Sequence, residues 1–324
     1  MKSVNKDGEN GRSLGGGEAR ARGFLSPHKS MPVSGAFAPL PAAQKTAPVR
    51  LVTYNIHRCI GLDRRYDPAR VAAVLREVGA GIACLQEVGL QRRGEHPGDQ
   101  GRFLAEATGA KVIFANGVRD HSRRFGNAIL TFFPVLAESA IDLGVAGCEP
   151  RSAIDADLLV AGRVLRVIAT HFGLSQAERR LQASRLVAAL AAPLPANRPP
   201  ASSILVMGDL NEWRGRRAGI RALEGRLGRS ITARTFPSFM PILALDRIYV
   251  DERALLEEVQ VYRSPLARLA SDHLPLVATL TWGAPAAAND VPIPRGIRKP
   301  RFLAAAATLL RSHQQKRRAS PIGW

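Results

Sequence analysis

Short apolar segments that end on an acidic, amide or histidine side chain constrain the fold of this chain more than any other feature. The clearest is ILVMGDLNEW, residues 204–213, in which a strand-like apolar run leads into Asp209 and Asn211. Because the two residues are two positions apart, an extended chain presents them on the same side. Asp and Asn also favour turns and helix caps, so this segment alone leaves both interpretations open.

The same pattern recurs at the ends of other predicted strands. It involves Asn55 and His57, Glu87, His171, Asp246, and the pair Asp272 and His273. A buried charge without a partner costs several kcal/mol, and an ordinary core does not hold five acid- or histidine-bearing strand ends. Strand ends on one edge of a sheet can converge on one pocket, and we expect these residues to share one.

Helix-like and strand-like segments alternate through the middle of the chain. DPARVAAVLREVG predicts a helix with Asp67 as N-cap and Pro68 as its first residue, and Gly109 is expected to end a second helix. SQAERRLQASRLVAALAA predicts an amphipathic helix that begins with a capping box of Ser175 and Glu178. Helices lie between the early strands and consecutive strands follow, which favours a mixed-sheet α/β domain.

Composition divides the chain into three parts. Residues 1–47 are rich in Gly, Pro and Ser and predict a disordered leader. Residues 48–283 form the predicted domain, and residues 284–324 predict a linker and a basic tail with a short helix. The sequence has neither an apolar run long enough for a transmembrane helix nor a secretory signal at residues 1–20. Three widely spaced cysteines favour the reducing cytoplasm.

The net charge of +19 raises the question of an anionic partner. More than half of that charge lies in the two tails, with +4 in residues 1–47 and +7 in residues 284–324. Only seven of the 46 basic residues are Lys, so a bias towards Arg explains the charge as well as a partner does. Nucleic acid stays open as a partner. The C-terminal tail is either solvated or lies on an anionic membrane surface, which would place the protein at the inner face of the membrane.

The polar strand ends contain the chemical parts of a metal-assisted phosphoryl hydrolase. Glu87, Asp272 and the amide of Asn55 offer hard oxygen ligands, which suit Mg²⁺ or Mn²⁺ rather than zinc. Asp209 would orient or deprotonate the attacking water, and Asn211 would hold that water or a phosphoryl oxygen.

The two histidines suit the oxygens that gain charge in the transition state. His171 and His273 could donate hydrogen bonds to those oxygens, and Asp246 could fix the tautomer of one imidazole. A divalent cation would neutralise the phosphate oxygens and polarise phosphorus. The predicted substrate is therefore a phosphoester.

Taken together, the motifs resemble those of a known superfamily. TYNIH, LQEV, GNAIL, ATHFG, GDLNEW, LDRIYV and SDHLP follow the order and rough spacing found in the endonuclease/exonuclease/phosphatase superfamily, which has the deoxyribonuclease I-like fold. The resemblance covers about residues 49–282. It implies an α/β four-layer sandwich, in which two packed mixed β-sheets are flanked by helices and the active site lies at one edge.

The resemblance implies a role for each matching residue. It makes Glu87 the direct metal ligand with Asn55 beside it, and it places His171 on the scissile phosphate. Asp209 and Asn211 match the Asp-x-Asn that positions the nucleophilic water.

The remaining motifs add a second set of roles. The SDHLP motif implies that His273 contacts the phosphate and that Asp246 hydrogen-bonds to this histidine. Arg151 in EPRSAI matches a frequent basic position near the site, although a structural ion pair is an equal alternative. His57 either packs beside the site or touches substrate. Asn127 in GNAIL stands where deoxyribonuclease I has a glutamate behind its first histidine, so the chain departs from the exact two-histidine arrangement.

Details within the superfamily favour some substrates over others. The chain has His171 where apurinic endonucleases have Asn, and HFGLSQAERRLQ resembles a bacterial branch of sphingomyelinase-type and phospholipid-associated members. We therefore expect a phosphodiesterase or phosphatase whose substrate is phospholipid-like or a small phosphoester. A nonspecific nuclease is the first alternative, although the segments around the expected site contain few aromatics. A non-catalytic interaction protein is the second, and it is disfavoured because every expected site residue is present.

Overall fold

The computed structural model describes residues 48–89, 99–114, 125–214 and 218–282. The predicted leader, residues 1–47, and the predicted tail, residues 284–324, lie outside the described residues. No helix in the described part of the chain is long and apolar enough to cross a membrane.

Twelve strands are present in the described residues. In chain order they are β1 (Val49–Asn55), β2 (Ile82–Gly89), β3 (Lys111–Phe114), β4 (Phe125–Thr131), β5 (Val135–Asp142), β6 (Ser152–Val160), β7 (Arg163–His171), β8 (Ser203–Asp209), β9 (Ile231–Thr232), β10 (Asp246–Val250), β11 (Leu255–Val261) and β12 (Leu276–Thr281). They form two six-stranded sheets, with the orders β11-β12-β1-β2-β4-β3 and β5-β6-β7-β8-β10-β9. The pairs β1–β2 and β7–β8 are parallel and the other pairs are antiparallel, so both sheets are mixed.

Within the described residues, five α-helices cover the outer faces of the sheets. They are α1 (Pro68–Val78), α2 (Gln100–Thr108), α3 (Gln176–Ala191), α4 (Ala218–Leu227) and α5 (Pro265–Ala270). Apolar residues of α1, α2 and α5 pack on the first sheet, and those of α3 and α4 pack on the second. The predicted sandwich of two mixed sheets flanked by helices is confirmed.

The helix boundaries follow local signals. The Asp67 side chain accepts a hydrogen bond from the backbone N–H of Arg70, and the helix ends at Gly79 with φ +64. Ser175 and Glu178 form the predicted capping box. The short helix α5 and the separate strand β5 were not predicted, because α5 has only six residues and β5 is exposed on much of its length.

Side chains alternate between two environments along each strand. In β1, Leu51 faces the core between the sheets, whereas Val52 packs beneath α1. Ile154 and Met207 belong to the second sheet, and they line the same inter-sheet core from the opposite side. This register decides which residues reach the edge of the sandwich.

The polar strand ends lie together at one edge of the sandwich. The parallel pairs finish there, at Asn55 and Glu87 in the first sheet and at His171 and Asp209 in the second. Strand β10 runs antiparallel to β8, so it begins at the same edge with Asp246. The start of β12 likewise lies at this edge, just after Asp272 and His273.

Candidate active site

Strand register places three site residues in a row across the second sheet. His171 pairs with Asp209 across β7 and β8, and Asp246 pairs with Asp209 across β8 and β10. Asp209 therefore lies between the other two side chains and is only 2% exposed. A one-residue slip of β8 would turn its side chain towards the opposite face.

Asn55 connects the two sheets at this edge. Its Nδ2 donates to Oε1 of Glu87 at 3.2 Å and to Oδ2 of Asp209 at 3.1 Å. Its Oδ1 accepts the backbone N–H of His57 at 3.1 Å. The amide oxygen that we predicted as a metal ligand is thus engaged by the backbone, and the amide nitrogen holds two carboxylates in place.

Glu87 has an unusual backbone conformation. It lies where the β2–β4 pairing is irregular, between Leu85 and Val88, and its φ is +56. A non-glycine residue in this region costs about 1–3 kcal/mol, and a bulge re-aims its side chain. The side chain is 4% exposed and directed at Asn55. The strain is therefore stored where a carboxylate must enter the site.

Asn211 is held by a tight turn after Asp209. Its backbone N–H donates to Oδ1 of Asp209 at 2.9 Å, and its φ is +51. Its Nδ2 donates to the carbonyl of Phe172 at 2.8 Å and lies 3.1 Å from Nε2 of His171. The spacing of two residues thus gives one carboxylate and one amide aimed at the same place.

His171 is held neutral by its surroundings. Burial lowers the pKa of His171, the positive charge of Arg151 lowers it further, and the result is a pKa of about 3. The Phe172 carbonyl orients the amide of Asn211, so that amide donates to Nε2 and the imidazole proton resides on Nδ1. In this state Nε2 is an acceptor that faces Asp209 at 3.5 Å.

His273 is in the opposite charge state. Burial alone would lower the pKa of His273, but the carboxylates of Asp246, Asp209 and Asp272 outweigh it and raise the pKa to about 9. Nδ1 lies 3.0 Å from Oδ2 of Asp246, and Nε2 lies 3.6 Å from Oδ2 of Asp209. The Phe236 ring packs against the imidazole with centroids 4.9 Å apart. The site thus combines a neutral and a cationic imidazole.

Asp246 is fully buried, and it accepts a hydrogen bond from a second residue, Thr235, that the sequence did not point to. The hydroxyl of Thr235 donates to the same Oδ2 that accepts from His273. Oδ1 of Asp246 has no hydrogen-bond partner among the described residues. Thr235 lies 11 residues before Asp246 on a separate segment, and no motif marks it.

The turn before β12 is attached to the end of β1. The hydroxyl of Ser271 donates to the carbonyl of Asn55 at 2.7 Å. Asp272 is 1% exposed, and its Oδ1 lies 3.8 Å from Nδ1 of His57. His57 therefore lies beside a predicted metal ligand, at the border of the site.

Asn127 and Arg151 line a small cleft with His171, together with Phe125, Gly126, Pro150 and Ser152. Nδ2 of Asn127 donates to the carbonyl of Ser152 at 2.8 Å. The Arg151 guanidinium is buried and donates to Glu149 at 2.8 Å, while its Nε has no hydrogen-bond partner among the described residues. The cleft thus presents a buried cation next to His171.

The acidic side chains fit a divalent cation. Glu87, Asp209 and Asp272 are each at most 4% exposed, and burying three carboxylates requires compensating positive charge. Ligand atoms of Asp209, Asp246 and His273 also lie within 4.8 Å of one another. Asp246 is already engaged by Thr235 and by a cationic imidazole, so the carboxylates of Glu87 and Asp272 are the ones that would suit a hard cation.

A buried ion pair behind Asn211 also escaped prediction. Nη2 of Arg179 lies 3.2 Å from Oε2 of Glu212, and both side chains are buried. Nη1 of Arg179 donates to the carbonyl of Leu174 at 2.7 Å, and the guanidinium lies over the Trp213 ring. Arg179 therefore ties α3 to the turn that carries Asn211. The sequence predicts an amphipathic helix here, and the first half of α3 buries the polar side chains of Glu178, Arg179 and Gln182.

Comparisons with known proteins identify a family to which the chain is similar. The model of the Endonuclease/Exonuclease/phosphatase family matches residues 52–273. The uncharacterized protein YbhP of Escherichia coli strain K12 is 30% identical over 250 residues, which cover 71% of this chain and 95% of that protein.

Solved structures share the fold at low sequence identity. An endonuclease/exonuclease/phosphatase from Bacteroides vulgatus has a TM-score of 0.59 and 18% identity, and the match covers 73% of this chain and all of that one. The mannosyl-6-phosphatase Bt3783 of Bacteroides thetaiotaomicron has a TM-score of 0.55 and 17% identity, and the match covers 72% of this chain and 99% of that one.

Proposed function

The chain belongs to the endonuclease/exonuclease/phosphatase family, whose members are generally metal-dependent hydrolases of phosphoester bonds, and on that basis we propose that it hydrolyses a phosphoester with Mg²⁺ or Mn²⁺ as cofactor. One observation carries the proposal. The buried carboxylate of Asp209 lies within 3.6 Å of side-chain nitrogens of Asn55, His171 and His273. That arrangement holds a carboxylate at the point where the two sheets converge.

Asp209 is the residue that acts on water. Its Oδ1 accepts the N–H of Asn211 and its Oδ2 accepts from Asn55, so both oxygens are held in a fixed orientation towards a bound water. The amide of Asn211 would hold the water or a phosphoryl oxygen.

Glu87 and Asp272 would bind the cation, with Asn55 positioning Glu87 through its amide nitrogen. When bound, the cation would neutralise phosphate oxygens and make phosphorus more electrophilic. The backbone strain at Glu87 supports this role, because strained conformations are retained where a side chain must point into a site.

His273 and His171 would contribute in different ways. His273 carries a positive charge held by Asp246 and can donate from Nε2 to an oxygen that becomes negative in the transition state. His171 is neutral, so it would donate a hydrogen bond to the phosphate from Nδ1 rather than supply charge.

Positive charge for the substrate phosphate would come from Arg151. Its buried Nε has no hydrogen-bond partner among the described residues, and the guanidinium lies in the cleft beside His171. Asn127 would line that cleft, and His57 would contact substrate from the side of Asp272.

The substrate class is a proposal of its own. A phosphodiesterase or phosphatase acting on a phospholipid-like or small phosphoester fits the motifs best, and a nuclease is the alternative. We place the protein in the cytoplasm, with the inner membrane face as a further site of action through residues 284–324.

An activity screen tests the proposal. Purified full-length protein is assayed with Mg²⁺ and with Mn²⁺ on bis-p-nitrophenyl phosphate, p-nitrophenyl phosphate, plasmid DNA and phospholipid vesicles. We expect metal-dependent release of product from at least one substrate, with Asp209→Asn at least about 100-fold slower and still folded. Asp142→Asn, at an exposed acid on β5, is the matched control. Activity that survives in Asp209→Asn would remove Asp209 from the reaction, and absence of activity on all four would contradict the proposal.

A further inference from the structure

A group of exposed apolar side chains lies beside the candidate active site. We call it the apolar rim, and its members are Leu62, Tyr66, Phe239, Met240 and Leu269, each between 38% and 57% exposed. Phe239 and Met240 are the most exposed of the five, at 57% and 51%. Single exposed apolar residues are ordinary, but five on three adjoining segments require an explanation.

Hydrogen bonds to backbone carbonyls hold the three segments side by side. The N–H of Leu62 donates to the carbonyl of Leu269 at 3.0 Å. The Arg268 guanidinium donates to the carbonyl of Phe239 at 3.3 Å, and the Ser238 hydroxyl donates to the carbonyl of Arg268 at 3.0 Å. The apolar rim is therefore a built surface rather than a set of unrelated loops.

The apolar rim is also attached to the reacting residues. The N–H of Ser238 donates to the carbonyl of Asp272 at 2.8 Å, and its hydroxyl donates to the carbonyl of Ser271 at 2.7 Å. Phe236, on the same segment, packs against the imidazole of His273. A molecule lying on the apolar rim would thus have its polar end near His273 and Asp272.

The charge of these segments favours an anionic partner. Residues 61–66, 233–245 and 262–270 contain five arginines and one acid, Asp63, and that acid is paired with Arg70. Arg64 and Arg65 are exposed on the first segment. The surface combines apolar tips with positive charge, which is the combination that binds anionic bilayers. Three of the five side chains of the apolar rim are aliphatic, and these can enter a headgroup region but cannot stack on bases.

We propose that the apolar rim docks the domain on an anionic phospholipid bilayer, with Phe239 and Met240 entering the headgroup region, so that the phosphoester of a lipid headgroup reaches Asp209. The docking stands on the exposed residues and the charge of the described domain. The identity of the lipid phosphoester as substrate rests on the proposed function. This surface is distinct from the C-terminal tail, which lies outside the described residues.

Vesicle binding of the full-length protein tests the docking. We compare wild type with the double variant Phe239→Ser and Met240→Ser on vesicles of equal parts phosphatidylglycerol and phosphatidylcholine, and on phosphatidylcholine alone. Phe132→Ser is the matched control, because Phe132 is 55% exposed at the opposite edge of the first sheet. We expect the rim variant to bind the anionic vesicles at least about tenfold more weakly, as for loss of a buried Phe, and the control to bind like wild type.

Activity measurements then distinguish a failure of the docking from a failure of the proposed function. For each protein we measure the ratio of the rate on phospholipid vesicles to the rate on bis-p-nitrophenyl phosphate, and expect that ratio to fall at least about tenfold only in the rim variant. Vesicle binding and a rate ratio equal to those of wild type would overturn the docking while leaving the hydrolase intact. Weaker binding to plasmid DNA with unchanged vesicle binding would assign the surface to nucleic acid and overturn it too. Absence of activity on every substrate contradicts the proposed function and leaves the vesicle-binding result to decide the docking.

Discussion

The imidazole of His273 donates from Nδ1 to Oδ2 of Asp246, with 3.0 Å between the two atoms. Because the aspartate is fully buried, neither residue can exchange this partner for water without leaving a charge uncompensated. The pair therefore determines both the orientation and the charge of the imidazole that faces Asp209.

The first prediction concerns the positive charge of the His273 imidazole. In Asp246→Asn the largest electrostatic contribution that raises the pKa of His273 is lost, so the pKa should fall well below about 9 and the ring should lose its proton within the neutral range. We expect turnover to fall at least about tenfold at pH 8, with a smaller loss at lower pH. NMR titration of the metal-free protein in a chelator measures the pKa directly.

The same experiment has a stability readout with a definite sign. The folded-state pKa of His273 exceeds its ordinary value of 6.5, so the stabilisation is complete below about pH 6.5 and is lost as pH rises through about 9. Urea unfolding of the metal-free wild type should therefore show a fall in this window that Asp246→Asn lacks. Equal pH dependence in the two proteins would contradict the assigned charge.

The second prediction concerns the metal. Glu87→Gln keeps the size of the side chain and its contact with Asn55 but removes the negative charge from the strained position. We expect affinity for Mg²⁺ or Mn²⁺, measured by calorimetry, to fall at least about tenfold. Glu138→Gln on the exposed strand β5 is the control, and it should bind metal like wild type. Wild-type affinity in Glu87→Gln would exclude Glu87 as a ligand.

The third prediction tests the ion pair behind the site. Arg179→Met preserves bulk but leaves Glu212 buried without its cation, which should destabilise the protein by about 3–5 kcal/mol. Arg180→Met changes the adjacent exposed residue, and we expect an effect within about 0.5 kcal/mol. Urea unfolding measures both. If the two variants unfold alike, the pair does not stabilise the turn that carries Asn211.

Much of this site was predictable because its residues follow apolar runs. The strand preceding Asp209 is apolar on both faces, so an acid and an amide at its end stand out from the sequence. Asp67 and the capping box at Ser175 and Glu178 were predictable for a similar reason, since each signal involves neighbours within three or four residues.

The parts that escaped prediction depend on contacts between distant segments. Nothing local shows that Glu87 adopts φ +56, because that conformation arises from irregular pairing with β4. Thr235 reaches Asp246, and Arg179 reaches Glu212, only after the sheets and helices have packed. The donor role of Asn55 likewise follows from where Asp209 lies across the sandwich, 154 positions later in the chain.

The strand directions described above also decide how the protein can be handled. Val49 begins β1 and Trp282 follows β12. Both lie at the strand ends opposite to the end that carries Asn55. An affinity tag, fusion partner or surface linkage at either end of the domain would therefore be joined on the side away from the candidate active site. Immobilised protein should keep its substrate-facing edge open.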